Sequence, residues 1–213
     1  MSTDTKDLVL HVGHELKMLA FAVAHFRLAV EAQTAGDGRP LCDNASLPAT
    51  HFIVPLQDSA LARGRTLLDF LTNYRDPKKN LYIRSFYDPA GAPHPTKTPT
   101  YGPWLDFISS QLLHVGRQRI SGQEWPGRPV TLPYDAEDDG RLDRLWSCVR
   151  DVMDHRVEHA PLAEEPKAAI QLMMLRATVY IDGSATWKSV RDNDVAFHAM
   201  DPQEILRSLS QSS

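Results

Sequence analysis

The N-terminal segment carries the pattern that most constrains the fold. Apolar side chains recur there at steps of three and four residues, which aligns them in one stripe along a helix: Leu8, Val12, Leu16, Leu19, Val23, Phe26 and Val30. The stripe ends before Ala35-Gly36-Asp37-Gly38, where a glycine can adopt the left-handed conformation that closes a helix. A helix this long needs other helices to cover its apolar stripe, so the segment predicts a helical bundle.

Shorter segments with the same periodicity follow. They predict helices over about residues 56–74, 103–119, 138–159 and 162–177, and a terminal helix that starts at Asp201-Pro202. Pro48 and Pro55 are expected to break the entry to the first of them, because a proline within a helix removes a backbone donor. The proline-rich stretch 75–103 predicts a long loop.

Two short runs favour strands instead of helix. Residues 129–132 and Thr178-Val179-Tyr180-Ile181 are rich in β-branched side chains, and Asp182-Gly183 is a typical turn. The predicted fold class is nevertheless all-α, a four- to five-helix bundle with a helical C-terminal extension. We expect residues 1–160 to form the bundle domain and residues 161–213 to form an extension packed on it.

Composition restricts the class of protein. The 213 residues are 42% hydrophobic and 23% charged, which is typical of a globular chain and unlike a disordered one. The length suits one principal domain. The formal net charge of -4 argues against a strongly basic protein whose main partner is nucleic acid.

Cysteine use and hydropathy indicate the compartment. Cys42 and Cys148 lie far apart and form no C-x-x-C motif, which fits a reducing environment. The N-terminus has no basic segment followed by an apolar run, so no secretory signal is expected. The most apolar stretch, from Met18 to Val30, is too short to span a bilayer. The sequence therefore predicts a cytoplasmic protein without a membrane partner.

Histidine pairs are the candidates for a metal site. Two histidines one turn apart on a helix can bind one ion, and the chain has His11 with His14 and His155 with His159. A solvated polar face is the favoured interpretation, since charges such as Arg156 surround the second pair. Phosphate-binding glycine loops, nucleophile elbows and the H-E-x-x-H motif are absent from the sequence. We therefore predict no metal and no cofactor.

An arginine followed several residues later by a histidine is typical of HEPN ribonucleases. In that family the arginine stabilises phosphate charge and the histidine supports acid–base chemistry on the RNA 2′-hydroxyl. Arg150 with His155 fits the spacing, and so does Arg191 with His198. About two such matches are expected by chance in this composition, so the spacing alone is weak support.

Three segments together resemble a widespread family of uncharacterised bacterial helical proteins. They are Asn44-Ala45-Ser46-Leu47, Arg65-Thr66-Leu67-Leu68-Asp69-Phe70-Leu71, and Ile108-Ser109-Ser110-Gln111-Leu112-Leu113-His114-Val115 followed by Arg117. The resemblance covers about residues 10–120, and Pro48 and Pro55 depart from the apolar segment usual after Asn-Ala. It implies a helical bundle similar to HEPN and abortive-infection proteins, without an established activity.

The polar residues of these segments form the candidate site. Arg65 and Asp69 lie four residues apart, so they share a helix face and can pair. Asp69 has apolar neighbours, where an unpaired carboxylate would be unfavourable. His114, with Arg117 following, also lies in an apolar context. A buried network that cross-links two helices is one interpretation, and ligand binding or catalysis is the other.

Two functional hypotheses follow. The leading one is a non-enzymatic bundle that acts through protein–protein interaction or self-association, in a bacterial defence or stress system. Phe21, Phe26 and Leu28 of the first helix would suit such an interface. The competing one is a HEPN-like, metal-independent RNA endonuclease with RNA as its partner. Arg150 and His155 would then be catalytic, with His114 and Arg117 as the second choice.

Overall fold

Helices supply the regular structure of the computed structural model, which describes residues 3–36, 38, 40, 47–72, 141–159, 163–184 and 193–211. They are α1 (Thr3–Thr34), a 3-10 turn (Ala49–Phe52), α2 (Ile53–Thr72), α3 (Arg141–His159), α4 (Glu164–Gly183), α5 (Asp194–Ala199) and α6 (Pro202–Gln211). Within these ranges there is no strand, only a single backbone bridge between Pro40 and Pro48. The predicted all-α class is confirmed.

α1 lies at the centre of the helices. Every residue of the predicted apolar stripe is buried, and so are residues on its other sides, among them Val9, Ala20, Ala24 and Leu28. α2 and α4 pack along it, and α3 packs against α2. A helix that is apolar nearly all round has to be enclosed, which explains why this one has neighbours on several sides. Gly36 ends it with a φ of 64°, as its position in the sequence predicts.

α2 begins earlier than its prolines suggest. Pro48 precedes the 3-10 turn, and Pro55 lies in the first turn of α2, which starts at Ile53. A proline is tolerated there because the first backbone N–H groups of a helix have no acceptor within it. The expectation that Pro55 breaks the helix is therefore wrong. The positions of α2 that recur at helical spacing are buried: Leu61, Gly64, Leu67, Leu68 and Leu71.

α2 and α3 approach each other closely at one glycine. A Cβ built on Gly64 would lie 3.0 Å from both terminal methyl groups of Leu145. The absence of a side chain thus allows Leu145 to pack on the backbone of α2. The apolar stripe of α3 is buried along its length: Leu142, Leu145, Trp146, Val149, Val152 and Met153.

The strand predicted at Thr178-Val179-Tyr180-Ile181 is wrong, because α4 continues through it to Gly183. Tyr180 and Ile181 extend the buried side of α4 that Ile170, Met173 and Met174 begin. The hydroxyl of Thr178 donates to the carbonyl of Met174, four residues earlier, at 2.9 Å. Burial against α1 therefore outweighs the β propensity of this run, which is a weak local preference.

Side chains close the C-terminal end of α4. The hydroxyl of Ser184 donates to the Tyr180 carbonyl at 2.6 Å, and Nδ2 of Asn193 donates to the same carbonyl at 3.1 Å. These bonds provide side-chain donors to a carbonyl in the last turn of the helix. Asn193 directly precedes α5, a short helix that the sequence pattern did not predict. The chain is thus held against the end of α4 at the point where α5 begins.

The terminal helix starts where the sequence predicts. Oδ1 of Asp201 accepts hydrogen bonds from the backbone N–H groups of Gln203 and Glu204, at 2.8 and 3.4 Å. This is the bonding of an N-cap residue followed by proline at the first helical position. Ile205 and Leu206 are buried against the rest of the chain. α6 packs on α1 and α4.

Several predictions lie outside the described residues. They are the loop over 75–103, the helix over 103–119 with His114 and Arg117, and the strand over 129–132. The domain boundary at residue 160 also stays a prediction. Among the helices in the described part of the chain, none combines the length and the apolar character needed to cross a bilayer.

Candidate functional site

Arg65 and Asp69 form an ion pair on one face of α2. Nε of Arg65 lies 3.3 Å from Oδ2 of Asp69, and about a third of each side chain is exposed, 30% and 33% respectively. Pairs of this kind at the surface contribute little to stability because water screens them. The pair is thus half-buried, and its predicted link to His114 concerns a residue outside the described ranges.

Arg150 and His155 leave α3 in different directions. Five residues of α-helix correspond to a rotation of about 140°, so Arg150 and His155 lie on different sides of α3. Nη2 of Arg150 lies 3.6 Å from Oδ1 of Asp151, and His155 is exposed. The catalytic roles of Arg150 and His155 stay a prediction.

The exposed face of α3 is acidic around these two residues. Asp151, Asp154 and Glu158 are all exposed there. The pKa of Asp154 is raised by partial burial and by the neighbouring carboxylates of Asp151 and Glu158, in spite of the nearby Arg150. A surface in which carboxylates destabilise one another is unfavourable for an RNA phosphate. The geometry of α3 gives the nuclease hypothesis no support.

The described residues of the histidine pairs are not gathered with other metal ligands. His11, His14 and His155 are exposed, and within the described ranges no three side chains among His, Cys, Asp and Glu come together as ligands. The interpretation of Arg156 as part of a solvated face is wrong, because that residue is 1% exposed. It lies on the buried side of α3, next to Val157.

A buried carboxylate joins α1 to α2. Both oxygens of Glu15 accept hydrogen bonds from Nη1 of Arg63, at 2.9 and 3.1 Å, and the Glu15 side chain is only 4% exposed. The sequence analysis missed this pair. The signal that could have revealed it is an acidic residue next to Leu16 within the apolar stripe of α1, because a charge in that position needs a partner.

Arg27 joins three helices. Its guanidinium donates to Oδ1 of Asp143 in the first turn of α3, with Nε at 2.8 Å, and Nη1 donates to the Ile181 carbonyl in the last turn of α4 at 2.9 Å. One cation thus neutralises an acidic side chain and satisfies a carbonyl at a helix end. This geometry explains the arginine in the apolar part of α1 as a structural link.

An aromatic cluster connects α1, α4 and α5. The rings of Phe21 and His25 stack with centroids 3.8 Å apart, and Phe197 lies 5.6 Å from Phe21 and 5.7 Å from Tyr180. Nζ of Lys17 lies 4.3 Å from the centroid of Phe197, within the range of a cation–π contact. The cluster holds the short α5 helix, which has too few residues to be stable by itself.

His25 is buried within this cluster. Its Nδ1–H donates to the carbonyl of Phe21 at 3.0 Å. Burial lowers the pKa of the imidazole, and the hydrogen bond to Phe21 opposes that effect without cancelling it. The neutral ring is therefore the form that the folded chain prefers.

The structure corrects the predicted interface on α1. Phe26 and Leu28 are buried inside the chain, and Phe21 packs against His25 and Phe197. Phe26 and Leu28 therefore offer no surface to another molecule, and Phe21 is partly buried. A candidate interaction surface is therefore sought among the apolar side chains that remain exposed on the other helices.

Two of these side chains lie together on α4. Leu175 is 60% exposed and Val179 is 55% exposed, and they are one turn apart on the same side of the helix. We call this side the outer face of α4, and it comprises the exposed residues Ala168, Gln171, Leu175, Val179 and Asp182. Leu172 borders it and is partly buried against the core. The outer face is the strongest candidate for a functional site in the described part of the chain.

Comparison with protein-family models, with curated proteins and with solved structures finds no match for this chain. The resemblance to HEPN-like bacterial proteins stays a prediction from the sequence motifs.

Proposed function

We propose that this chain is a non-enzymatic helical-bundle protein that acts through protein–protein contact, with another protein or with a second copy of itself. The observation that carries the proposal is the outer face of α4, where Leu175 and Val179 are more than half exposed in the middle of a regular helix. Adjacent exposed apolar side chains on a helix are the anchors that a partner helix or groove buries.

The pairing of these residues distinguishes them from other exposed apolar residues. Within the described ranges, the remaining large ones lie singly on different elements: Leu47, Val54 and Val195. Isolated exposed apolar residues are ordinary at protein surfaces, whereas a continuous patch favours an interface. Leu172 at the border extends the patch along α4.

The internal polar pairs support a binding role over a catalytic one. Glu15 with Arg63 and Arg27 with Asp143 each link helices, and both arginines bond to groups within the fold. These charged residues therefore have a structural explanation that requires no ligand. The outer face of α4 is uncharged between its ends, which is suited to contact by apolar packing.

The proposal is tested by comparing partner capture and self-association among three versions of the chain. The wild type is compared with Leu175→Gln/Val179→Gln and with the control Val54→Gln, which removes an exposed apolar residue from another helix. Each version is used as bait in affinity capture, and its mass is measured by light scattering. We expect a captured protein, or a dimer, that is retained by Val54→Gln and lost by the double variant.

Binding that is the same for all three versions would exclude the outer face as the interaction surface. The same samples test the competing function by incubation with RNA in the presence of a chelator. Metal-independent cleavage that is lost in His155→Ala would replace the binding proposal with the nuclease.

A further inference from the structure

α5 is held at both of its ends by hydrogen bonds to α4. Directly before α5, Nδ2 of Asn193 donates to the carbonyl of Tyr180 at 3.1 Å. At the end of α5, Nη1 of Arg176 donates to the carbonyl of Ala199. A helix of six residues has little stability of its own, so contacts of this kind keep α5 in place.

One aromatic side chain supplies the main apolar contact of α5. The ring of Phe197 packs against Phe21 of α1 and Tyr180 of α4, with centroids 5.6 and 5.7 Å apart. Ala196 adds a small apolar contact, and Val195 is 81% exposed. The attachment of α5 to the bundle therefore depends largely on the packing of Phe197.

His25 lies next to this contact. It is 5% exposed, and its ring stacks on Phe21, which also touches Phe197. The helices packed along α1 differ in size, since α2 and α4 have 20 residues each and α5 has six. Short elements with few contacts open locally, so displacement of α5 is the easiest way for water to reach His25.

The protonated form of His25 has no carboxylate partner within the described part of the chain. Burial is the larger cause of the lowered pKa of this imidazole, and the hydrogen bond to the Phe21 carbonyl opposes it. No charged side chain is among the causes of the shift. The carboxylates of the neighbouring helices thus leave the imidazole without a counter-ion, among them Asp58 and Asp69 of α2, Asp143 of α3 and Asp182 of α4.

Basic side chains already contact α5. Nζ of Lys17 lies 4.3 Å from the centroid of the Phe197 ring, and the ring of His198 lies 6.0 Å from it. Arg176 binds the last carbonyl of α5. Protonation of His25 would add positive charge to this group, and like charges disfavour one another in a partly buried cluster. Burial and charge therefore act in the same direction.

We propose that α5 is an acid-released strap: protonation of His25 detaches α5 from α1 and α4 while these two helices stay folded, which exposes Phe21 and Tyr180. The inference goes beyond the proposed function, because it concerns a movement of α5 and does not involve the outer face of α4. The chain then presents one surface at neutral pH and another in acid.

The direction of the pH dependence follows from the burial of His25. In the closed form its pKa lies below the ordinary value of 6.5, and in the open form the hydrated imidazole regains that value. Well above this pH the ring is neutral in both forms. As the pH falls below about 6.5, the open form binds a proton that the closed form does not, so opening is favoured by at most about ten-fold per pH unit. The effect is complete once the pH lies below the pKa of the closed form.

Hydrogen exchange of the Phe197 amide tests the strap, because this N–H donates to the Asn193 carbonyl at 3.0 Å in the closed form. Its protection factor is measured by NMR at pH 7 and pH 5, in buffer and in dilute urea. We expect protection to fall by about 3- to 25-fold in acid, since one proton is bound per opening. Dilute urea should have little effect, because a local opening exposes little surface. The amide of Leu19 in α1 reports global unfolding, and it should be better protected and sensitive to urea.

Three variants separate His25 from its surroundings. His25→Gln retains a donor for the Phe21 carbonyl and does not titrate, so protection at Phe197 should change by less than about two-fold between pH 7 and pH 5. The control His198→Gln removes the exposed histidine of α5 itself and should keep most of the wild-type decrease. Phe197→Ala removes the ring that holds α5, and it should leave α5 weakly protected at both pH values.

Three results would overturn the inference. Equal protection of the wild type at pH 7 and pH 5 would mean that the closed cluster admits the imidazolium. Exchange at Phe197 that follows Leu19 in both pH and urea would mean that α5 leaves only when the whole chain unfolds. A decrease that persists in His25→Gln, or that His198→Gln abolishes, would assign the titration to another group; the second comparison decides even if His25→Gln does not fold.

Discussion

Gly13 in α1 lies against the ring of Pro202 at the start of α6. A Cβ built on Gly13 would be 2.7 Å from Cγ of Pro202 and 2.6 Å from Sδ of Met173 in α4. Atoms cannot approach so closely, and the contact exists because residue 13 has no side chain. α1, α4 and α6 therefore meet at Gly13. The ring of Pro202 cannot move away easily, because it is part of the backbone of α6.

Replacing this glycine should destabilise the fold. In Gly13→Ala the new methyl group has to displace Pro202, and overpacking of this kind costs about 1–3 kcal/mol. The gain in helix propensity, about 1 kcal/mol, offsets part of the loss. We expect the free energy of unfolding, measured with urea, to fall by up to about 2 kcal/mol. In the control Gly64→Ala the methyl meets only the flexible end of Leu145. That variant should therefore be the more stable of the two, and the opposite order would contradict the packing argument.

Removing Arg63 should destabilise the fold more than neutralising its partner Glu15. Arg63→Met leaves the buried Glu15 carboxylate without its cation, and we expect a loss of about 2–3 kcal/mol because the 37% exposed Arg63 site admits water. Glu15→Gln keeps an acceptor for Arg63 and should cost about 1 kcal/mol. The double variant should be more stable than Arg63→Met alone. Urea unfolding of the four chains gives the comparison.

The half-exposed pair on α2 provides the matched control for this prediction. Arg65→Met removes the cation from Asp69, where a third of the carboxylate side chain is in contact with water. The expected loss is less than about 1 kcal/mol. Equal losses in Arg63→Met and Arg65→Met would show that burial of Glu15 does not determine the effect.

Periodicity predicts the buried sides of the helices well, for a physical reason. The buried residues of α1, α2 and α3 recur at helical spacing, and that spacing depends only on the local sequence. The cap at Asp201 is equally local, since its side chain bonds to the next residues of the chain. Predictions of this kind hold because few distant contacts compete with them.

The errors in the sequence-based predictions arise where contacts between distant parts of the chain determine the structure. Tyr180 and Ile181 continue α4 because α1 buries them, which no local β preference reveals. Arg27 bonds to Asp143, more than a hundred positions away, and its partner cannot be identified from spacing. The outer face of α4 was missed because Leu175 and Val179 look like core residues in the sequence. Only the packing shows which apolar residues stay exposed.

Cys148 should react slowly in the folded chain. Burial and the nearby Asp151 raise the pKa of this thiol to about 11, from the ordinary 9.0. At pH 8 about one hundredth as much thiolate is then present as for an ordinary thiol, and the thiolate is the nucleophile. Alkylation of Cys148 by iodoacetamide should be about 100-fold slower in the folded chain than in the chain unfolded by urea. The measurement is made in Cys42→Ser, where Cys148 is the remaining thiol. Similar rates in the two states would mean that the thiol is accessible.

The stability of the chain should fall on acidification because of His25. The folded chain lowers the pKa of this imidazole below the ordinary value of 6.5. At higher pH the ring is neutral in both states and the group has no effect. As the pH falls below about 6.5, the unfolded chain binds a proton that the folded chain does not, so unfolding becomes more favourable. The loss is complete once the pH lies below the pKa of the folded state.

His25→Gln isolates this effect, because the amide can donate to the Phe21 carbonyl but does not titrate in this range. We expect urea unfolding between pH 7.5 and pH 5 to show a smaller decrease in stability for His25→Gln than for the wild type. The control His14→Gln makes the same substitution at an exposed position of the same helix. The quantity compared is the change in unfolding free energy with pH. The absolute free energy is not used, since His25→Gln also removes the stacking of the imidazole on Phe21. Equal slopes in all three chains would show that His25 titrates alike in the folded and unfolded states, and the aromatic cluster would then admit a charged imidazole.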